Sequence, residues 1–317
     1  MTASRLVHGD RALSIRSEYE IPVIAPYRLD LTVSVLRRLA TNIVDVLTAD
    51  GRYVRALIGA HGPVIVRVAQ ASDEVLAATI EGNPDDHEPA LALVRAMLGT
   101  DRDVSSFGRA ATTIPWLSPL ALRMRGVKPP RYASLWEAFV NVVTFQQLSL
   151  HAASTIVRRL IVAAEPAVDV DGVSLYPFPG PEHFLASADH DLRAIGLSGR
   201  KIATLRRAGE AHVTGRLDRA TLEALPSPAA AGLLQDIKGI GPWTAAVILL
   251  RGLGRLDVFP MNDTGVARNL ALVAGPIGLE VDQVIDALRP QQGMLYYHLL
   301  LARLEAGGGL GFASILG

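Results

Sequence analysis

The chain has 317 residues, half of them hydrophobic and a fifth charged, with 31 basic against 31 acidic side chains. Such a composition excludes a disordered or low-complexity chain, and the length predicts two or three domains. Without a single cysteine, disulfides, thiolate metal sites, iron–sulfur clusters and cysteine nucleophiles are excluded, and a net charge of zero removes the simplest case for nucleic-acid binding, an overall positive field.

The start, Met1-Thr-Ala-Ser-Arg-Leu-Val-His, has no apolar stretch of signal-peptide length behind it, and no run approaches the ~18 residues of a spanning helix. The expectation is a soluble cytoplasmic protein without a membrane partner. Asp30 is placed to cap a helix running through Val33, Leu36, Arg37 and Leu39. From Val44 to Glu81 the chain reads as an antiparallel meander, with turn chemistry at Asp50-Gly51, His61-Gly62 and Ser72-Asp73 between short β-branched runs. Gly82-Asn-Pro-Asp-Asp-His-Glu-Pro89 has the composition of a linker. Beyond it strand signals nearly vanish. Apolar stripes at helical spacing follow at 90–98, 135–143, 152–161, 201–212, 232–237, 243–251, 281–288 and 295–304, and Gly307-Gly-Gly-Leu-Gly reads as a loose end.

The most informative stretch is Leu234-Gln-Asp-Ile-Lys-Gly-Ile-Gly-Pro-Trp-Thr-Ala-Ala-Val. A short helix ends at Gly239, a tight turn passes Ile240 and Gly241, and Pro242 opens a second helix. Amides left over at such a positive helix end suit an anion such as a phosphate, although an ordinary helix–turn–helix corner has the same residues. A Gly/Pro-rich loop then leads to Asp263, just before a helix carrying Val266, Leu270 and Leu272. A carboxylate there can face a cleft as a general base or as an anion opposing developing positive charge; it can equally cap the next helix, and both can hold together.

Hairpin, loop and aspartate closely resemble the helix-hairpin-helix DNA glycosylase superfamily, in particular its AlkA-type 3-methyladenine DNA glycosylases. Trp136-Glu-Ala-Phe-Val-Asn-Val-Val-Thr-Phe-Gln-Gln-Leu-Ser resembles the family helix that runs into a Gln-Gln-x-Ser turn, and Phe178-Pro-Gly-Pro and Ile195-Gly-Leu-Ser-Gly-Arg-Lys resemble the segments after it. The resemblance implies an α+β antiparallel-sheet domain at 1–88, then a mostly all-α core of two helical subdomains, one formed by 89–130 with 264–317 and the other by 131–263, the latter holding the hairpin at 234–251. It implies a monofunctional glycosylase that flips out an alkylated purine from damaged double-stranded DNA, cleaves the N-glycosidic bond and leaves an abasic site, as a monomer without metal or other cofactor. Asp263 takes the catalytic position, Trp243 and Tyr296 the base pocket, Lys238, Gly239, Ile240, Gly241 and Thr244 the phosphate grip, and Gln146 and Gln147 the side chains inserted into the DNA gap. Trp243 stands where bifunctional relatives place a Schiff-base lysine, and it has no amine.

Three departures bear on substrate. Phe145 stands where the family pattern has glycine, and Val247 and Gln291 stand at positions that are aromatic in some members. They leave two further readings: a glycosylase for a deaminated or oxidised base, and a non-catalytic lesion-binding protein. A modest basic excess falls on 101–150 and 201–250; Lys201, Arg206 and Arg207 there, with Arg200 just before them, are explained equally well by a solvated helix face. The eight histidines show no metal-site spacing.

Overall fold

In the computed structural model, residues 15–275 and 280–310 are described. The N-terminal part is a five-stranded antiparallel sheet in the order β1-β5-β4-β3-β2, from β1 (Ile15–Pro22), β2 (Val46–Leu47), β3 (Tyr53–Gly59), β4 (Gly62–Gln70) and β5 (Val75–Gly82). The helix α1 (Leu29–Arg37) follows β1. Asp30 does not cap it: the cap position is Arg28, and Asp30 sits in the first turn bound to the Arg28 guanidinium. The helix stops at Arg37, short of Leu39. Nor is 82–89 a linker. Pro84–Asp86 is a 3-10 turn capped by Asn83, the buried Asp86 carboxylate accepts the amides of Ala60 and His61, and α2 (His87–Leu98) begins at once.

On one face of the sheet Tyr53, Leu57, Val64, Val66 and Val68 pack with α1 and with Leu91, Val94 and Met97 of α2. The core of the sheet region therefore extends through Leu98. The opposite face, Val54, Ala56 and Ile65, is covered by a hairpin of β6 (Val168–Val170) and β7 (Val173–Leu175). Cover on both sides is why β3 and β4 read as near-continuous apolar runs. Strand structure thus returns after Pro89, at a turn where Asp171 and Gly172 both take positive φ.

The remainder is helical: α3 (Ser105–Thr112), α4 (Ser118–Arg123), α5 (Leu135–Phe145), α6 (Leu150–Ala164), α7 (Pro181–Ala186), α8 (Asp189–Ile195), α9 (Gly199–Val213), α10 (Arg219–Ala224), α11 (Ser227–Gln235), α12 (Pro242–Leu253), α13 (Thr264–Ala274), α14 (Val281–Ala287) and α15 (Gly293–Ala306). It has two cores. One joins Phe139, Leu205, Leu234 and Ile248; the other joins Phe107, Met124, Val266, Leu270 and Leu295 with Leu31 and Val35 of α1. The helix α12 serves both, Ile248 facing the first and Leu250 the second, so it is apolar nearly all round. The described part of the expected loose end, Gly307 to Leu310, follows α15; Gly311 lies outside the described residues.

Sheet and helices meet at a buried ion-pair junction. Arg55 of β3 donates to Asp45 at 2.7 Å and to Glu137 of α5 at 2.6 Å, and Tyr53 Oη donates to Asp45 at 2.9 Å. All three charged side chains are at most 3% exposed. Burial pushes the Glu137 carboxyl up, opposed by the guanidinium beside it.

Candidate active site

The hairpin is formed by α11, a turn over Asp236–Gly241, and α12, with Gly241 extended at the cap position and Pro242 opening the helix. Gly239 has φ +105°, and a Cβ there would lie 2.0 Å from Thr204 Oγ1 of α9, so the residue must be glycine. Gly241 is different. A Cβ there would meet nothing within 4 Å, so its surroundings are open to an incoming group. Ile240 is buried and its amide donates to Ile237 O at 2.9 Å, so it anchors the turn and presents no free amide. The Gly239 and Gly241 amides have no protein partner among the described residues, and Lys238 is exposed beside them. Thr244 is buried, its hydroxyl accepting from Gln146 Nε2 at 2.8 Å.

That contact joins the hairpin to the turn after α5. Gln146 also reaches Gly239 O at 3.4 Å, while Gln147 is exposed with φ +57°. Lys201 holds the same turn from below, its ammonium donating to Thr144 O at 2.8 Å and Gln146 O at 2.9 Å. Burial lowers the pKa of this lysine. Of the basic side chains expected near DNA, Lys201 is therefore tied to backbone, and Arg206 is tied to Asp189, Leu185 O and Ser187 O. Arg207 reaches Lys238 O at 3.4 Å, and Arg200 is exposed.

Asp263 does two things at once. Its Oδ1 accepts the amides of Gly265 (2.6 Å) and Val266 (3.0 Å), which makes it the cap of α13. Its Oδ2 accepts the indole N–H of Trp243 at 2.5 Å, across twenty residues of sequence. The carboxylate is half-buried at a positive helix end, and the preceding Asn262 is held at φ +61°. Positive φ in a residue other than glycine costs energy and concentrates at working sites; here it occurs at Gln147 and Asn262. Sequence placed Trp243 as a stacking surface and could not show that its ring edge fixes Asp263. Tyr296 is half-buried on α15, which packs on α13, and makes an edge-to-face contact with Tyr297 at 5.7 Å.

The two departures at aromatic positions have structural jobs. Val247 is buried in the first helical core. Gln291 Oε1 accepts from Ser106 Oγ (2.6 Å) and the Phe107 amide (3.0 Å), and its Nε2 donates to Asp103 O (2.6 Å), so it anchors the start of α3. Among the described residues no group of three or more His, Cys, Asp or Glu side chains could hold a metal ion, and no helix is long and apolar enough to cross a membrane.

Two helices joined through a glycine turn, with an aspartate heading the next helix and hydrogen-bonded to the hairpin's first turn, define a helix-hairpin-helix protein with a carboxylate at its open end. Residues 140–282, a little under half of the chain, match the model of the HhH-GPD superfamily of base excision DNA repair proteins. It is 32% identical over 262 residues, 82% of its length, to a Mycobacterium tuberculosis protein described as a probable bifunctional transcriptional activator/DNA repair enzyme AlkA; the chain spans about half the length of that relative. A Bacillus subtilis DNA-3-methyladenine glycosylase is 25% identical over 186 residues, 59% of this chain and 61% of that one. The fold is shared with a 3-methyladenine DNA-glycosylase from Archaeoglobus fulgidus (TM-score 0.75, 23% identity, covering 91% of this chain and 99% of that one).

Proposed function

We propose that this protein is a monofunctional DNA glycosylase of base excision repair that removes alkylated purines of the 3-methyladenine type from duplex DNA. The observation that carries the reading is Asp263, an acceptor fixed by one indole N–H and two helix amides beside the open hairpin turn. In the reading, the Gly239 and Gly241 amides grip a backbone phosphate, with Lys238 beside them. Gln147 fills the gap left by the extruded nucleotide, and Trp243 and Tyr296 border the base. A purine alkylated at a ring nitrogen is already cationic, so it departs with the electrons of the C1′–N bond and becomes neutral. The Asp263 carboxylate opposes the positive charge that grows on the sugar. Water then attacks C1′ and passes a proton to Asp263 and on to solvent. With an indole at position 243 there is no amine to form an imine with the sugar, so the product is an intact abasic site. The protein acts in this reading as a cytoplasmic monomer on DNA.

The test is base release from methylated duplex DNA, with free bases identified by mass spectrometry and Asp263→Asn run alongside. Methyladenine release by wild type, lowered at least about 100-fold in the variant with binding to an abasic-site analogue intact, is expected. Normal release by the variant would sink the mechanism. A second reading, excision of a deaminated or oxidised purine, is favoured by Val247 and Gln291, neither of which offers a ring to a cationic base. Release of hypoxanthine or oxidised guanine without methyladenine would select it, and binding without any release would leave a lesion-binding protein.

A further inference from the structure

Apart from the hairpin and Asp263, the described residues line a small cleft with room for about 40 Å³ of water-sized occupants, bounded by the end of α1 and the 37–45 segment on one side and by α5 and α6 on the other. Three arginines line it, Arg37, Arg38 and Arg158. The two acidic side chains on its wall, Asp45 and Glu137, are both bound to Arg55 in the ion-pair junction. Its uncommitted charge is therefore positive.

Arg38 is the central group. It follows the last turn of α1 with φ +56°, in a position where glycine or asparagine is usual. Four residues other than glycine have positive φ among those described: Asp171 belongs to a hairpin turn that demands it, Gln147 and Asn262 belong to the candidate active site, and Arg38 is the fourth. In this conformation its guanidinium lies 4.5 Å from the centre of the Phe145 ring, and its Nε is buried without a hydrogen-bond partner. Phe145 directly precedes Gln146 and Gln147, so the cleft opens within about 7 Å of chain from the turn assigned to the DNA gap.

We propose that this cleft receives a backbone phosphate of the bound DNA on the sheet side of the Gln146–Gln147 turn, held by Arg38 and Arg158. The N-terminal sheet region then contributes to the DNA interface through the end of α1. A guanidinium lying over Phe145, with Nε buried, leaves its two Nη groups for a bidentate phosphate contact. The inference rests on the DNA-binding reading above and extends it to a second grip on the backbone.

The experiment is fluorescence anisotropy with a duplex carrying an abasic-site analogue, from 50 to 200 mM KCl, on the full chain. Arg158 is exposed, so Arg158→Ala tests the cleft without disturbing a core. Arg158→Ala and Arg38→Ala are each expected to weaken binding roughly threefold at 200 mM salt and to lower the slope of log K against log salt by about 0.9. Arg38→Lys, which keeps the charge but loses the planar fork, is expected to restore the salt slope and recover only part of the affinity. Unchanged affinity and slope in both alanine variants, with binding lost on Gly241→Leu, would overturn the cleft while leaving the hairpin reading intact. No salt-dependent binding by wild type would remove both. Calorimetry with inorganic phosphate alone separates the sources: no heat is expected, and saturable binding abolished by Arg38→Ala would assign the cleft to a free anion and overturn the DNA contact.

Discussion

At the junction between the sheet and α5, Asp45 and Glu137 are buried and both bound to the buried Arg55, whereas at the hairpin Gly239 and Gly241 are exposed and their amides have no protein partner among the described residues. The first arrangement holds two parts of the chain in register, and removing a member leaves a charge in a dry place. The second leaves donors open to an incoming group, and its cost is met by exposure to water. Asp263 lies between the extremes: half-buried, satisfied on both oxygens, yet placed at the edge of the open turn. A polar group's partners thus separate the residues that keep this fold from those that meet a substrate.

Four measurements sharpen or break that contrast. Glu137→Ala should have the largest effect, about 3–5 kcal/mol of lost stability by urea denaturation, because it leaves Arg55 without one of its partners; a loss under about 1 kcal/mol would erase the distinction between junction and hairpin. Gly239→Ala should cost about 2 kcal/mol and weaken DNA binding too, since both its φ and Thr204 oppose a Cβ. An open turn without this constraint would tolerate alanine.

Acid tests a third kind of polar burial. His298 on α15 is fully buried against Phe107, and burial lowers its pKa from 6.5 to about 4. The unfolded chain therefore takes up this proton first, so stability is lost as the pH falls below 6.5 and the loss levels off near 4. Between pH 7 and 5 it amounts to about 1.8 kcal/mol. Comparing urea midpoints at the two pH values with those of His298→Gln isolates it; an identical pH dependence in the variant would refute it. The smallest effect is expected for Trp243→Phe, which keeps a ring but removes the donor to Asp263. Single-turnover excision should slow roughly tenfold, about 1.4 kcal/mol, with thermal stability nearly unchanged.

Much of this organisation is legible in the sequence, and the gaps have reasons. The meander through β3, β4 and β5 shows because Asp50-Gly51 and His61-Gly62 punctuate β-branched runs, and the long helices show through their stripes. β1 is missed because Ile15-Arg-Ser-Glu-Tyr-Glu-Ile is rich in charge, as suits an edge strand, although Ser17, Tyr19 and Ile21 alternate inward. The β6–β7 hairpin has strands of three residues, too short for a periodic signal despite Asp171-Gly172. In the candidate site, Asp263 and the glycines stand out locally. The Trp243–Asp263 bond, the Lys201 strut under the Gln146 turn and Arg38 over Phe145 join segments distant in sequence, and no local pattern encodes them.

The β6–β7 hairpin leaves the helical core between α6 and α7 and lies on the far face of the sheet, where Asp171 also meets Arg67 at 3.2 Å. The chain thus reaches back over its own beginning and closes the sheet like a clasp. A shortened protein starting after Leu98 would turn Val170 and Leu175 out to water, and one ending there would strip Val54, Ala56 and Ile65 of their cover. The two regions have become halves of a single folding unit, and any recombination that exchanges one must carry the clasp with it.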